Sequence, residues 1–182
     1  MGALDAKTVL VTGGSSGIGK AIAVQLAREG AHVSILARSA AQLERAQIEI
    51  QAAGTRSTAC VTALSANVAD EPQIAAAISR AIELNGPPDL LVTSAGIAAA
   101  GHFTEIPAEV FRETMAVNYF GPVALSLAIL PSMVEAGEGR IVNVSTWGTR
   151  VPSPLFAAYT ASKAAIDAFG RSVNADLVGT GV

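Results

Sequence analysis

Two side chains in this 182-residue chain have the types and spacing for proton chemistry: Tyr159 and Lys163, in the run Tyr159-Thr160-Ala161-Ser162-Lys163. Residues four apart lie on one face of a helix, so an ammonium stands beside a phenol whose ordinary pKa is about 10. A phenol so placed can give a proton to a carbonyl oxygen, the charge of the lysine favouring the phenolate left behind. An isolated Y-x-x-x-K serves equally well as a core tyrosine beside a solvated lysine. What weights the chemical reading is the company: a glycine-rich turn at residues 12–19, Asn118, and the hydroxyl pair Ser145-Thr146, in that order.

The elements that position these groups follow from pattern. Short apolar runs at residues 8–11, 32–37, 59–64, 89–93 and 140–144 read as strands buried on both faces of a parallel sheet. Between them lie helical stretches. The first carries Ile18, Ile22 and Leu26 at four-residue intervals and ends near Gly30; the others fall at about 40–53, 70–85, 108–134 and 156–177. Asp70 followed by Gln73 is a capping-box start, and Gly121-Pro122 predicts a kink in the long fourth helix. Strand and helix alternate, so the expected fold is an open α/β doubly wound parallel sheet, Rossmann-type, in one domain spanning residues 1–182.

A glycine turn between a strand and a helix lets backbone N–H groups and the helix dipole approach a pyrophosphate. Here the spacing is G-x-x-x-G-x-G through Gly13, Gly17 and Gly19, with Ser15, Ser16 and Ile18 inside it, which differs from the G-x-G-x-x-G fingerprint. At the end of the second strand the sequence has Ala37 and Arg38, with no carboxylate for a ribose 2′-hydroxyl and a guanidinium able to pair with a 2′-phosphate. NADP(H) is therefore favoured, with NAD(H) possible.

Bulk properties exclude other classes. A net charge of −3 without a basic cluster argues against nucleic acid and membrane surfaces, leaving small molecules or proteins as partners. The N-terminus lacks the pattern of a signal peptide, and no apolar run in the sequence approaches membrane-spanning length. The one cysteine, Cys60, lies in an apolar run and reads as a buried core residue, consistent with a cytoplasmic protein. His32 and His102 read as structural or surface residues.

Taken together, these residues resemble the classical short-chain dehydrogenase/reductase family over the whole chain. Residues 12–19 resemble its T-G-x-x-x-G-I-G turn, Asn118 in Val117-Asn118-Tyr119-Phe120-Gly121 falls where the family has its asparagine, and Tyr159/Lys163 match its Y-x-x-x-K. Asn67, followed by Val68, stands where the family usually has an aspartate near the adenine; Thr93-Ser94-Ala95-Gly96 replaces N-N-A-G. The resemblance implies hydride transfer between NADP(H) and a carbonyl or secondary alcohol, with Tyr159 as general acid/base. Lys163 would lower the tyrosine pKa and bind the nicotinamide ribose, and Asn118 would hold a relay water. The family's serine typically sits thirteen residues before its tyrosine, so the resemblance implies Thr146 as the carbonyl-polarising hydroxyl, with Ser145 as the alternative. Gly148 and Ser153-Pro154-Leu155-Phe156 are similar to lipid-directed members such as fatty-acyl and 3-ketosphinganine reductases, so an apolar substrate is expected.

The resemblance also implies a homodimer or homotetramer. The family continues with a further strand and a substrate-covering loop beyond the point where this sequence stops. A non-catalytic nucleotide-binding interaction protein is the alternative function.

Overall fold

The computed structural model describes residues 4–54 and 60–182. Five strands, β1 (Thr8–Thr12), β2 (His32–Ala37), β3 (Val61–Ser65), β4 (Leu90–Thr93) and β5 (Arg140–Asn143), form one parallel sheet in the order β3-β2-β1-β4-β5. The expected start of β3 at Ala59 lies outside the described residues. Every crossover carries helix: α1 (Gly17–Arg28), α2 (Ala40–Ala53), α3 (Glu71–Asn85), then α4 (Ala108–Met115) and α5 (Gly121–Ala136), with α6 (Ala157–Asp176) after β5.

Strand pleat sorts the core into two faces. Val9 and Val11 of β1 pack with Ala23, Leu26, Leu43 and Ile50 of α1 and α2, while Leu10 between them joins Ile74, Ile78, Leu125 and Ile129 of α3 and α5. All five β1 residues are buried, because this strand is covered on both faces and paired on both edges. The strand order reverses between β1 and β4, and ligands of open α/β sheets settle at the carboxyl ends of the strands at such a point.

Four expectations need correction. Ile18 does not belong to the buried stripe of α1; it is 64% exposed, and the buried residues are Gly19, Ala23, Leu26 and Ala27. The cause is close approach: a Cβ on Gly19 would lie 2.4 Å from the Gly13 carbonyl oxygen, so glycine occupies the position facing the strand. Cys60 is exposed rather than buried, because β3 is an edge strand; its Sγ lies 3.3 Å from His32 Nδ1 and 3.0 Å from Asn85 Oδ1.

The expected kink at Gly121-Pro122 is instead a π turn at Ala116–Phe120, closed by the Gly121 N–H reaching the Ala116 carbonyl five residues back. Gly121 answers to packing, since a Cβ there would meet the Val68 carbonyl oxygen at 2.4 Å. Finally, α4, the π turn and α5 run on as a helix, Ala108–Ala136, long and apolar enough by length and composition to cross a membrane. Its Leu125, Ile129 and Met133 are packed in the core with Leu91 of the sheet.

The start of α3 follows the sequence reading. Asp70 Oδ1 accepts from the Gln73 N–H, while the Gln73 side chain donates through Nε2 to Asp70 Oδ2 at 2.8 Å and accepts at Oε1 from the Asn67 N–H at 2.9 Å.

Candidate active site

The glycine turn between β1 and α1 opens one wall of a cleft. Gly13 has φ +68, and a Cβ there would lie 2.8 Å from the Ala95 N, so only glycine lets the turn lie against the loop after β4. Gly17 has φ +52 with open space where its Cβ would be, and Ser16, the N-cap of α1, makes no side-chain cap bond. The amides of the first turn of α1 therefore face a space that a phosphate group fits.

The cleft, of about 210 Å³, is lined by Gly13, Ser15 and Ser16 from the turn, Arg38 at the end of β2, Asn67 and Val68 after β3, and Ala95 and Gly96 after β4. These eight are all sequence-predicted. Gly17, Ile18, Gly19, Ser94, Tyr159 and Lys163, also expected at the cofactor, do not line it; Gly19 serves helix–strand packing, while Ser94 gives its N–H to Thr12 Oγ1. Ser39, Ala66, Ile97 and Val117 line the cleft without having been expected, their one signal being sequence adjacency to expected residues, and Gln42, one helical turn beyond Arg38, lines it with no such signal.

Two predicted departures from the family pattern have structural answers. Where an asparagine would fasten the loop after β4, Thr12 Oγ1 accepts from both the Ser94 and Ala95 N–H groups at 3.1 Å, and Thr93 Oγ1 donates to Asn143 Oδ1 at 2.7 Å. Asn67 Oδ1 accepts from the Ala69 N–H at 3.1 Å, which turns the chain into α3 while the residue still lines the cleft.

The second group converges from α6, the π turn and the end of β5. Lys163 is buried, 6% exposed, and its Nζ donates to the Val144 carbonyl at 2.7 Å. Burial pushes its pKa below the ordinary lysine value of 10.5, against the opposite pull of Asp167. Tyr159, one helical turn earlier, is half-buried with its ring edge-to-face against Phe156 at 6.3 Å.

Asn118 is 1% exposed and its side chain is fully engaged. Oδ1 accepts from the Ile97 N–H at 2.9 Å, and Nδ2 donates to the Ile97 carbonyl at 2.9 Å and to Ser162 Oγ at 3.0 Å. The amide is thus not free to hold a water. Pro122, four residues on, has no N–H to give the Asn118 backbone carbonyl the bond of a regular α-helix.

The hydroxyl pair separates by environment. Ser145 Oγ is buried with no hydrogen-bond partner, whereas half-buried Thr146 caps the short helical turn Trp147–Thr149 and accepts from the Gly148 N–H at 3.3 Å. With its lone pair so used, the Thr146 O–H can point elsewhere.

The loops above Tyr159 are joined by the Gly101 N–H donating to the Leu155 carbonyl at 2.9 Å, with Leu155 itself at φ +71. Phe103, Trp147, Val151 and Leu155 on these loops are exposed apolar side chains. A further cleft, about 460 Å³, lies against the outer edge of β5 and contains none of the predicted site residues. Among the described residues no strand pairs that edge.

A parallel sheet with a glycine-turn nucleotide cleft at its switch point, backed by a buried lysine and a tyrosine on one helix, defines a dinucleotide-binding α/β protein. The family model for short chain dehydrogenases matches residues 7–182, and the chain belongs to that family. It is 38% identical over its whole length to a short chain dehydrogenase of Pseudocercospora fijiensis. It is 36% identical, over 96% of its length, to the 3-ketodihydrosphingosine reductase of Mus musculus. The chain spans 58% and 53% of these two relatives.

Among solved structures, a variant actinorhodin polyketide ketoreductase with NADPH superposes with a TM-score of 0.92 at 31% identity, covering 100% of this chain and 69% of that one. An NAD⁺-bound xylitol dehydrogenase gives 0.91 at 26% identity, with 98% and 67% covered.

Proposed function

We propose that the protein is an oxidoreductase that uses NADP(H) to interconvert an apolar carbonyl compound and its secondary alcohol. The observation that carries this is at Gly96. The residue lines the nucleotide cleft, and a Cβ placed on it would lie 3.2 Å from Asn118 Oδ1 and 3.7 Å from Lys163 Nζ. Cleft and buried cation share one wall, and a side chain at this position would crowd Asn118 Oδ1 and stand against Lys163 Nζ.

The cofactor, when bound, supplies a hydride at nicotinamide C4. Gly13, Ser15 and Ser16 with the first turn of α1 would hold its pyrophosphate, Asn67 and Val68 would meet the adenine, and Arg38 would take a 2′-phosphate. Arg38 is exposed at the cleft, and among the described residues no carboxylate is seen paired with it.

Tyr159 gives its phenolic proton to the substrate oxygen, and the ammonium of Lys163 favours the phenolate that remains. Thr146 donates a hydrogen bond to the same oxygen. Ser145, whose oxygen is buried, is the weaker candidate for that role. The exposed apolar residues of the two loops, with the lipid substrate named for the mouse relative, support a long apolar substrate. The reading treats residues 1–182 as one NAD(P)-binding domain of a cytoplasmic protein.

A homodimer or homotetramer is part of the same proposal. Phe120, Leu127 and Val134, seven residues apart along the long helix, are 58%, 68% and 40% exposed and form an apolar stripe that a second copy would cover.

The test is fluorescence titration with NADPH and NADH followed by turnover on short and long-chain ketones. The proposal expects tighter NADPH binding and oxidation of NADPH with an apolar ketone. Preference for NADH would overturn the cofactor assignment, and binding without hydride transfer to any carbonyl would favour a non-catalytic nucleotide-binding protein.

A further inference from the structure

Between Tyr159 and Lys163 stands Ser162, a polar side chain with no exposure at all. Its hydroxyl donates to the Tyr159 carbonyl at 2.7 Å, and its oxygen accepts from Asn118 Nδ2 at 3.0 Å. A serine bonding back to a carbonyl three residues earlier in its own helix is common and needs no special purpose. The second bond is different, because it leaves the helix for the one fully buried side chain of the π turn. From Asn118 the connection continues through two bonds to the Ile97 backbone, and Ile97 lines the nucleotide cleft next to Gly96.

The π turn has a reason in this connection. One extra residue per turn shifts the helix phase, and the residue it turns inward is Asn118, toward α6 and the loop after β4 at once. A buried amide in such a position is favourable only when its donors and acceptor are all met.

We propose that Ser162 is a positioning residue: its hydroxyl ties the turn of α6 that carries Tyr159 and Lys163 to the Asn118–Ile97 wall of the nucleotide cleft, holding proton donor and cofactor in one frame. This rests on the oxidoreductase reading above. Ser162 touches neither substrate nor cofactor; it acts through Asn118.

The experiment compares the wild type with Ser162→Ala and with Ser162→Cys, which keeps the volume closer while offering only a weak donor and acceptor. Three quantities are measured: the NADPH dissociation constant by fluorescence, kcat and KM with an apolar ketone, and the Asn118 side-chain amide resonances with their solvent exchange. Ser162→Ala should lower kcat about tenfold, the scale of one buried hydrogen bond lost with its donor left unmet. It should also weaken NADPH binding, leave the substrate KM nearly unchanged, and shift the Asn118 amide resonances and speed their exchange, while the melting temperature falls by only a few degrees and the protein stays folded at the assay temperature. Ser162→Cys should fall between.

Asn118 resonances, kcat and NADPH affinity that all stay at wild-type values would overturn the proposal, as would losses that only track the unfolded fraction. If the wild type reduces no carbonyl at all, it is the oxidoreductase reading that fails. The Asn118 amide and NADPH binding then still decide whether Ser162 makes the tether.

Discussion

Burial lowers the pKa of Lys163, and that effect is measurable without any substrate. A lysine whose pKa is lowered by folding is neutral in the folded chain and charged in the unfolded one at pH values between the lowered pKa and 10.5. The unfolded state therefore binds more protons in that interval, and stability gained from this group rises with pH through it. Lys163→Met removes the effect, so urea midpoints should favour the variant at neutral pH and the gap should narrow as pH climbs toward 10.5. A gap that ignores pH would contradict the burial argument. Lys7, whose pKa is raised by Asp89 and Glu138, titrates in the opposite sense but is common to both proteins and cancels. At the cleft, Arg38→Asp should reverse cofactor preference toward NADH, read as a ratio of dissociation constants. The spacing of Tyr159 and Lys163 was legible in the sequence because helical period alone puts both on one face. The separation of Ser145 from Thr146 was not, since which of two adjacent hydroxyls is buried depends on how the strand end twists into the following turn. Cys60 was misread because apolar neighbours signal a strand but not whether that strand has a covered edge.

At the scale of elements, the glycines divide into those that packing requires and those that backbone conformation requires. Gly121→Ala sets a Cβ 2.4 Å from the Val68 carbonyl oxygen, a clash between backbones that no rotamer relieves. It should cost about 1–3 kcal/mol of stability, measured by chemical denaturation. Gly17→Ala meets nothing within 4 Å but must hold φ +52, which costs about 1–2 kcal/mol. Because the open space lies where the pyrophosphate would sit, that variant should lose NADPH affinity out of proportion to its loss of stability. The glycine turn was readable because strand, glycines and helix follow one another without interruption. The π turn was hidden: the apolar pattern runs unbroken through residues 108–136, and a single inserted residue shows only in which side chain faces inward. Ile18 was assigned to the core for a similar reason, as periodicity cannot tell that α1 sits so close to the Gly13 turn that only Gly19 fits beneath it.

For the whole molecule, the alternation of strands and helices sufficed to expect a parallel sheet, because a right-handed crossover has few other places to go. The outer edge of β5, which no strand pairs among the described residues, and the exposed stripe on the long helix were not legible from periodicity, since both depend on what covers an element rather than on its own pattern. Leu127→Asp should convert an assembled protein to monomer in light scattering while circular dichroism stays unchanged; an assembly indifferent to it would place the interface elsewhere. All these features serve one claim, that sheet, π turn and α6 bring a nucleotide cleft and a proton donor together. The most direct test is Tyr159→Phe, which removes one oxygen, assayed for NADPH oxidation with an apolar ketone alongside NADPH binding. The account predicts a loss of kcat of about 10²–10⁴-fold with the NADPH dissociation constant unchanged; turnover at the wild-type rate would contradict it.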